Sequence, residues 1–191
     1  MDSNFCEDKV FEKVNFNKQT LPKGEYDNCT FDRCDFSGVN LSHYDFGSCT
    51  FLGCNLSMTI VSNASFRSIT FTDCKIIGLH FETANQFLFS VTFNNCGINL
   101  SSFTKMKIKK TKFTNSILHE VDFSETDLAE SIFTNCDLLR SIFNNTNLEK
   151  VDFRTSYNYS LDPSINRIKK AKFSSEGVLG LLTKYDIVIE R

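Results

Sequence analysis

The sequence predicts an all-β solenoid, a four-sided β-helix in which the chain turns a corner after every five residues. Three observations predict it: a large apolar residue recurs at every fifth position, residues twenty apart share a type, and phenylalanine is over-used. The 191 residues include twenty Phe and no Trp, which indicates that Phe fills one repeated structural position. A period of five fits neither the helical period of 3.6 nor the strand period of two. We therefore expect five-residue segments that each turn one large side chain into a shared interior.

The five-residue register runs from Phe11 to Phe153 with one interruption. Two extra residues are inserted within Thr83–Phe87, where Gln86 occupies the expected apolar position. The large residues on the register are Phe11, Phe16, Leu21, Tyr26, Phe31, Phe36, Leu41, Phe46, Phe51, Leu56, Val61, Phe66, Phe71, Ile76 and Phe81, then Leu88, Phe93, Ile98, Phe103, Ile108, Phe113, Leu118, Phe123, Leu128, Phe133, Leu138, Phe143, Leu148 and Phe153.

A second period, of twenty residues, indicates four segments per turn. Positions twenty apart form one column that is Phe throughout, and the next column is mostly aliphatic. The Phe column is Phe11, Phe31, Phe51, Phe71, Phe93, Phe113, Phe133 and Phe153; the other is Phe16, Phe36, Leu56, Ile76, Ile98, Leu118 and Leu138. Columns of different composition predict four distinct faces, with turns stacked at a strand spacing of about 4.8 Å.

Seven of the eight cysteines stand two residues before a large core residue, at a position that is otherwise small or apolar. They are Cys29, Cys34, Cys49, Cys54, Cys74, Cys96 and Cys136, and only Cys6 departs from this spacing. The favoured interpretation is core packing, since a buried free cysteine behaves as a small hydrophobe. A zinc site built from Cys29, Cys34, Cys49 and Cys54, or redox chemistry, stays an alternative. A stack of disulfides is disfavoured, because side chains on adjacent parallel turns rarely meet disulfide geometry.

Units such as Val39-Asn40-Leu41-Ser42-His43 and Val121-Asp122-Phe123-Ser124-Glu125 resemble the pentapeptide-repeat family, whose pattern is usually written A(D/N)LXX. The resemblance covers about residues 9–155. It implies a right-handed quadrilateral β-helix with four pentapeptides per turn. A pentapeptide rod followed by a C-terminal helix, which the sequence predicts here, resembles the fluoroquinolone-resistance members of that family, which dimerise tail to tail and bind DNA gyrase as mimics of duplex DNA.

The sequence divides into an N-terminal cap (1–8), the repeat region (9–155) and a C-terminal segment of linker, helix and short strand (156–191). In that segment Ser174 or Ser175 is a candidate helix N-cap, with Glu176 in the first turn. An amphipathic α-helix is predicted from the spacing of Val178, Leu179, Leu181, Leu182 and Tyr185, followed by a strand over Ile187–Ile189. We expect this segment to cap the last turn and to form a homodimer through those five apolar residues.

Composition narrows the classes of function. A formal charge of −2 and a pI near 5.9 argue against nucleic-acid binding. No long apolar segment or secretory signal is present, so a cytoplasmic protein without membrane attachment is expected. His43, His80 and His119 fall on outward positions, and no catalytic motif accompanies them. We therefore expect no enzyme, no cofactor and no metal.

The charged residues show no acidic stripe along any face, which counts against simple DNA mimicry. Charge varies along the rod instead: residues 105–112 contain five Lys, and residues 120–152 carry an excess of acids. The candidate contact set is this acidic belt: Glu120, Asp122, Glu125, Asp127, Glu130 and Asp137. Two hypotheses follow. The protein binds DNA gyrase and modulates quinolone sensitivity, or it is a rigid scaffold for an unrelated cytosolic partner.

Overall fold

The computed structural model describes residues 4–188, and they form a β-solenoid in which all paired strands are parallel. Two of its four faces are regular sheets. The first face is a seven-stranded sheet of β2 (Val10–Glu12), β4 (Thr30–Asp32), β6 (Thr50–Leu52), β8 (Ile69–Thr72), β9 (Val91–Asn94), β10 (Lys112–Thr114) and β11 (Ile132–Thr134). The fourth face begins with a four-stranded sheet of β1 (Asn4–Glu7), β3 (Gly24–Asp27), β5 (Asp45–Gly47) and β7 (Ser65–Arg67).

The other two faces are ladders of single β-bridges. The second face runs through Asn15, Asp35, Asn55, Lys75, Gly97, Ile117, Asp137 and Tyr157. The third runs through Asn40 and Ile60, then through His80, Ser102, Asp122 and Ile142. The predicted four-sided turn is therefore confirmed by the backbone pairing.

The Phe column is the centre of the core, as the twenty-residue period predicts. Phe11 pairs with Phe31 and Phe71 with Phe93, and the second of these pairs spans the insertion. Neighbouring rings of the column from Phe11 to Phe153 stack at centroid separations between 4.6 and 5.3 Å. Rings on adjacent faces meet edge to face, for example Phe113 and Phe123 at 6.0 Å. Both geometries suit the aromatic quadrupole, so the column is a packed stack.

The polar residues of the repeat make its corners. The side-chain oxygen Oδ1 of Asn40 accepts a hydrogen bond from the Ser42 N–H at 2.9 Å, and Asp122 does the same for Ser124 at 2.8 Å. The last residue of most units then adopts a left-handed backbone, such as His43 (φ 64°) and Glu125 (φ 57°). An Asx turn followed by a left-handed residue turns the chain through its corner. This explains the preference for Asp or Asn before the large residue.

The small inward position is also a hydrogen-bond donor, which the sequence analysis missed. Thr126 Oγ1 donates to the Phe103 carbonyl of the preceding turn at 2.7 Å, and Ser156 Oγ donates to Phe133 at 2.8 Å. Cysteines do the same more weakly, as Cys49 Sγ does to Tyr26 O at 3.3 Å. Cys, Ser and Thr at this position add a hydrogen bond to the packing, whereas Ala64, Val121 and Val151 fill the same position without a donor.

All eight cysteines are buried and unpaired, including Cys6, which lies in β1 opposite Tyr26. Burial raises the pKa of Cys49 to about 12 and that of Cys136 to about 11, which keeps both thiols protonated and unreactive. Residues 4–188 hold no group of three or more side chains placed to bind a metal ion.

Thiol titration tests this interior placement. At pH 8 we expect a small disulfide reagent to modify none of the eight cysteines of the native protein, and all eight in guanidinium. Rapid modification of several thiols without denaturant would contradict a core role for them.

At the insertion the register differs from the predicted one. Leu88 was expected in the core, but it is 64% exposed, with a left-handed backbone (φ 56°) that turns its side chain outward. Phe89 packs inward instead, edge to face with Phe66 and Phe81 at 6.1 Å each. The other register residues are buried, except Phe11, which is half-buried in the first turn. The two extra residues let the larger ring fill the space that Gln86 leaves.

The predicted C-terminal α-helix is wrong. The chain forms two short 3₁₀ helices, Gly177–Leu181 and Thr183–Tyr185, separated by Leu182. Gly177 and Gly180 are poor helix formers, and Asp186 (φ 48°) ends the second helix. The Ser174 Oγ accepts from the Gly177 N–H at 2.9 Å, but the N-cap residue of the first 3₁₀ helix is Glu176, not the predicted serine. Of the predicted strand, Ile187 and Val188 are not extended into a sheet, and Ile189 lies outside the described residues.

The solenoid extends at both ends of the repeat region. Residues 4–7 of the expected N-terminal cap form β1, which pairs with β3; residues 1–3 lie outside the described part. Beyond residue 155, Arg167 bridges to Asn147, and Phe173 stacks on Phe153 at 5.7 Å. None of the helices in residues 4–188 has the length and hydropathy that crossing a bilayer requires.

Candidate functional site

The six carboxylates of the acidic belt fall into two structural classes. The three aspartates stand directly before a large core residue and make Asx turns. The Oδ1 of Asp122, Asp127 and Asp137 each accepts a hydrogen bond from the backbone N–H two residues later. Glu120, Glu125 and Glu130 occupy the left-handed corners. Asp137 lies on the second face, Asp122 on the third and Asp127 on the fourth. The belt therefore wraps around the rod and does not form one patch.

Five of the six carboxylates have a basic side chain from an adjacent turn within ion-pair distance, four of them a lysine or arginine. Four of these contacts are Glu120–Arg140 (3.6 Å), Glu125–Lys105 (3.7 Å), Asp127–Lys109 (3.1 Å) and Glu130–Lys150 (3.0 Å). The fifth is Asp137–His119 (2.9 Å). Exposed pairs of this kind contribute little stability each. Together they balance the belt, leaving Asp122 as the belt member without an ion pair among residues 4–188.

Two of these carboxylates have perturbed acidity. The hydrogen bond and charge of Lys150, helped by Lys110, lower the pKa of Glu130. Burial by itself would raise the pKa of Asp137, but hydrogen bonds from His119 and Asn158 outweigh it, and the pKa is lowered. Both groups are therefore ionised at neutral pH.

An open trough of about 830 Å³ lies on the third face, which the sequence analysis did not foresee. Its walls combine two exposed apolar side chains, Leu100 and Ile142, with His80 and the charged side chains Glu82, Lys105, Glu120, Asp122 and Arg140. Leu100 is 56% exposed and Ile142 is 41% exposed. His80 Nδ1 lies 2.8 Å from Glu82 Oε1 at one end. Two belt residues, Glu120 and Asp122, thus belong to a concave surface.

Three third-face residues of the trough, His80, Ser102 and Ile142, lack the Asp or Asn of the repeat pattern. In many units Asp or Asn stands before the large residue, where the side chain makes the Asx turn. On the third face this position holds Ile60, His80, Ser102 and Ile142 beside Asn40 and Asp122. Ser102 Oγ still accepts from the Thr104 N–H at 3.3 Å, whereas His80 and Ile142 make no such turn and project from the face.

The five predicted dimerisation residues do not share one surface. Val178, Leu179 and Tyr185 are 40%, 42% and 58% exposed. Leu181 is buried against the end of the rod, and Leu182 is half-buried. Leu179 and Leu182 line a shallow groove of about 310 Å³ together with Thr183, Asp186 and Ile187. In the tail, Leu181 caps the end of the rod, whereas Val178, Leu179 and Tyr185 form an exposed apolar rim.

The capping contact explains both glycines of the tail. A Cβ at Gly180 would lie 2.2 Å from the Tyr159 carbonyl oxygen, and one at Gly177 would overlap the Tyr159 hydroxyl. The Leu161 N–H donates to the Gly180 carbonyl at 3.1 Å. Gly177 and Gly180 thus leave room for Tyr159 to pack against the tail.

A family model described as a pentapeptide repeat region matches residues 25–103 and 86–157, which together exceed half of the chain. The chain belongs to the pentapeptide-repeat family. The match spans the insertion, so this pentapeptide-repeat protein keeps one continuous repeat region. No curated protein matches it in sequence.

Solved structures similar to this pentapeptide-repeat protein are distant in sequence. A trypsin-treated form of QnrB1, described as a plasmid-mediated fluoroquinolone resistance protein, is 20% identical over 98% of both chains, with a TM-score of 0.47. HetL from the cyanobacterium Nostoc sp. strain PCC 7120, involved in heterocyst differentiation regulation, is 12% identical over 90% of this chain and 85% of its own, with a TM-score of 0.48. At these identities the likeness concerns the fold alone.

Proposed function

We propose that this protein is a rigid, non-catalytic rod that binds another protein through the third-face trough, and that the partner is DNA gyrase. The trough carries the proposal. Its exposed Leu100 and Ile142 lie two turns apart, with Glu120 and Asp122 on the turn between them, so the trough offers apolar contacts together with charges of both signs, as protein interfaces do. The rigid stack of Phe rings fixes these side chains before binding, which lowers the entropic cost of association.

The two histidine–carboxylate pairs support a non-catalytic role. His80 pairs with Glu82 and His119 with Asp137, yet each pair lies on an open face of the rod. General acid–base catalysis needs a site that holds substrate and excludes water. The Asp137 carboxylate also accepts hydrogen bonds from the Leu139 N–H and from Asn158, so its role is to stabilise a corner of the turn.

The proposal places the rod in the cytosol, where eight unpaired cysteines stay reduced.

The choice of gyrase rests on the sequence resemblance to the fluoroquinolone-resistance members, and on Glu120 and Asp122 within the trough. The alternating layers of lysine and carboxylate favour a contact that matches charges of both signs over imitation of a uniform phosphate backbone. We expect inhibition of gyrase supercoiling at micromolar protein, or protection of gyrase from a fluoroquinolone. If neither effect is seen at that concentration, gyrase is excluded, and the rod is a scaffold for another cytosolic partner.

The proposal includes a homodimer formed through the exposed rim of the tail. Leu179→Glu places a charge on this rim, and we expect it to lower the mass seen by light scattering from dimer to monomer. Val10→Glu is the matched control, since Val10 is 69% exposed at the opposite end of the rod. Equal masses for the native protein and both variants would refute the tail's role in association.

A further inference from the structure

The fourth face carries a charge dipole along the rod. Its first half, up to Arg67, holds Glu7, Asp8, Glu25, Asp27 and Asp45 against Arg67, five acids and one base, a net charge of −4. Its second half, from Lys107 onward, holds Lys107, Lys109, Lys110, Lys150, Arg167, Lys169 and Lys170 against Asp127, Glu130 and Glu149, seven bases and three acids, a net charge of +4. One face is thus acidic at one end and basic at the other.

An exposed apolar pair marks the boundary between the two halves. Phe87 is 71% exposed and Leu88 is 64% exposed, both in the inserted segment. The ladder of the fourth face runs from Asp45 through Ser65 to Asn85 and resumes at Lys107, so the insertion interrupts it here. Neighbouring exposed apolar side chains at a break in the ladder suit a protein contact.

The spacing of the charges around this pair is symmetric. Glu7 and Asp8 lie four turns before Phe87, and Lys169 and Lys170 lie four turns after it. At about 4.8 Å per turn, each end is about 19 Å from the apolar pair. A two-fold axis through Phe87 and Leu88 therefore places the acidic end of one rod opposite the basic end of a second rod.

Ion pairs neutralise part of the charge on the inner turns. Arg67 contacts Asp45 at 2.8 Å, and Lys109 contacts Asp127 at 3.1 Å. Within residues 4–188, Lys169 and Lys170 at the basic end make no ion pair, and neither do Asp27 and Lys107 on inner turns. The acidic and basic halves therefore keep charges that are available to a partner.

We propose that two copies of this chain pack side by side and antiparallel through their fourth faces, with Phe87 and Leu88 of each copy meeting at the two-fold axis. This interface is separate from the trough and from the tail, and it does not depend on the proposed partner. Narrow faces and screened end charges make it a weak, salt-sensitive association.

Cysteine cross-linking in the full-length protein tests the proposal. Leu88→Cys places a thiol beside the axis, and Met58→Cys is its control, because Met58 is 63% exposed and has the same left-handed backbone (φ 57° against 56°) on another face. Under mild oxidation we expect a several-fold higher yield of linked dimer for Leu88→Cys, falling as salt rises. Equal yields for the two variants would overturn the proposal.

A charge exchange tests the antiparallel arrangement itself. In the Leu88→Cys background, the pair Lys169→Glu and Lys170→Glu should lower cross-linking, and so should the pair Glu7→Lys and Asp8→Lys. A mixture of the two proteins should restore it as a heterodimer, because both end contacts are then attractive. Adding Leu179→Glu should leave the yield unchanged. Failure of the mixture to recover, or loss of the cross-link with Leu179→Glu, would contradict the fourth-face interface and assign the contact to the tail.

Discussion

Phe113→Ala is expected to lower the free energy of unfolding by about 3–5 kcal/mol, the usual cost of removing a fully buried phenylalanine. Phe113 stacks between Phe93 (5.1 Å) and Phe133 (4.6 Å), and its edges meet Phe103 and Phe123 at 6.2 and 6.0 Å. These neighbours are themselves held in stacks, so they have little freedom to close the cavity.

Phe87→Ala is the control for this prediction, because the same side chain is removed where it is 71% exposed. We expect a change within about 0.5 kcal/mol, as for most surface substitutions. Guanidinium denaturation of both variants, followed by circular dichroism, measures the two costs. Similar costs for Phe113→Ala and Phe87→Ala would contradict a packed Phe column.

Asn166→Leu is expected to cost about 2–4 kcal/mol, because it leaves buried backbone groups without partners. Asn166 is 7% exposed. Its Nδ2 donates to the Phe143 carbonyl at 2.7 Å and to the Asp162 carbonyl at 2.9 Å, and its Oδ1 accepts from the Thr146 N–H at 2.8 Å. Leucine has similar size but makes none of these bonds.

Two further variants separate hydrogen bonding from shape at this position. Asn166→Thr keeps a donor for the Phe143 carbonyl, as Thr146 does for Phe123, so its cost should be intermediate. Asn144→Leu makes the same change at an exposed position and should cost little. If Asn166→Leu is as stable as Asn144→Leu, the inward donor is not needed and only the size of the residue matters.

The core was predictable because each turn repeats the same packing problem. One position in five must fill the interior, and the Phe column and the buried cysteines follow from that rule. The rule fails at the insertion, where Leu88 and Phe89 are both apolar and period alone cannot choose between them. It fails again in the tail, because the apolar spacing from Val178 to Tyr185 suits an α-helix, whereas Gly177, Gly180 and the contact with Tyr159 favour 3₁₀ turns.

The charged surface was misjudged for a different reason. Charges summed along each face hide the fact that residues twenty apart stack. When residues twenty apart are compared, Lys105 falls opposite Glu125, Lys110 opposite Glu130 and Arg140 opposite Glu120. The ion pairs of the acidic belt could therefore have been predicted from the sequence. The trough could not, because its depth depends on how side chains from three turns lie together.

Binding of purified DNA gyrase to two arginine variants tests the central claim, that the third-face trough is the partner-binding surface. Ile142 in the trough and Ile117 on the second face are 41% and 47% exposed and occupy the same position of their repeats. We predict that Ile142→Arg weakens binding at least about tenfold, or 1.4 kcal/mol, and that Ile117→Arg binds like the native protein. Equal binding by the two variants, with both folded, would contradict the account.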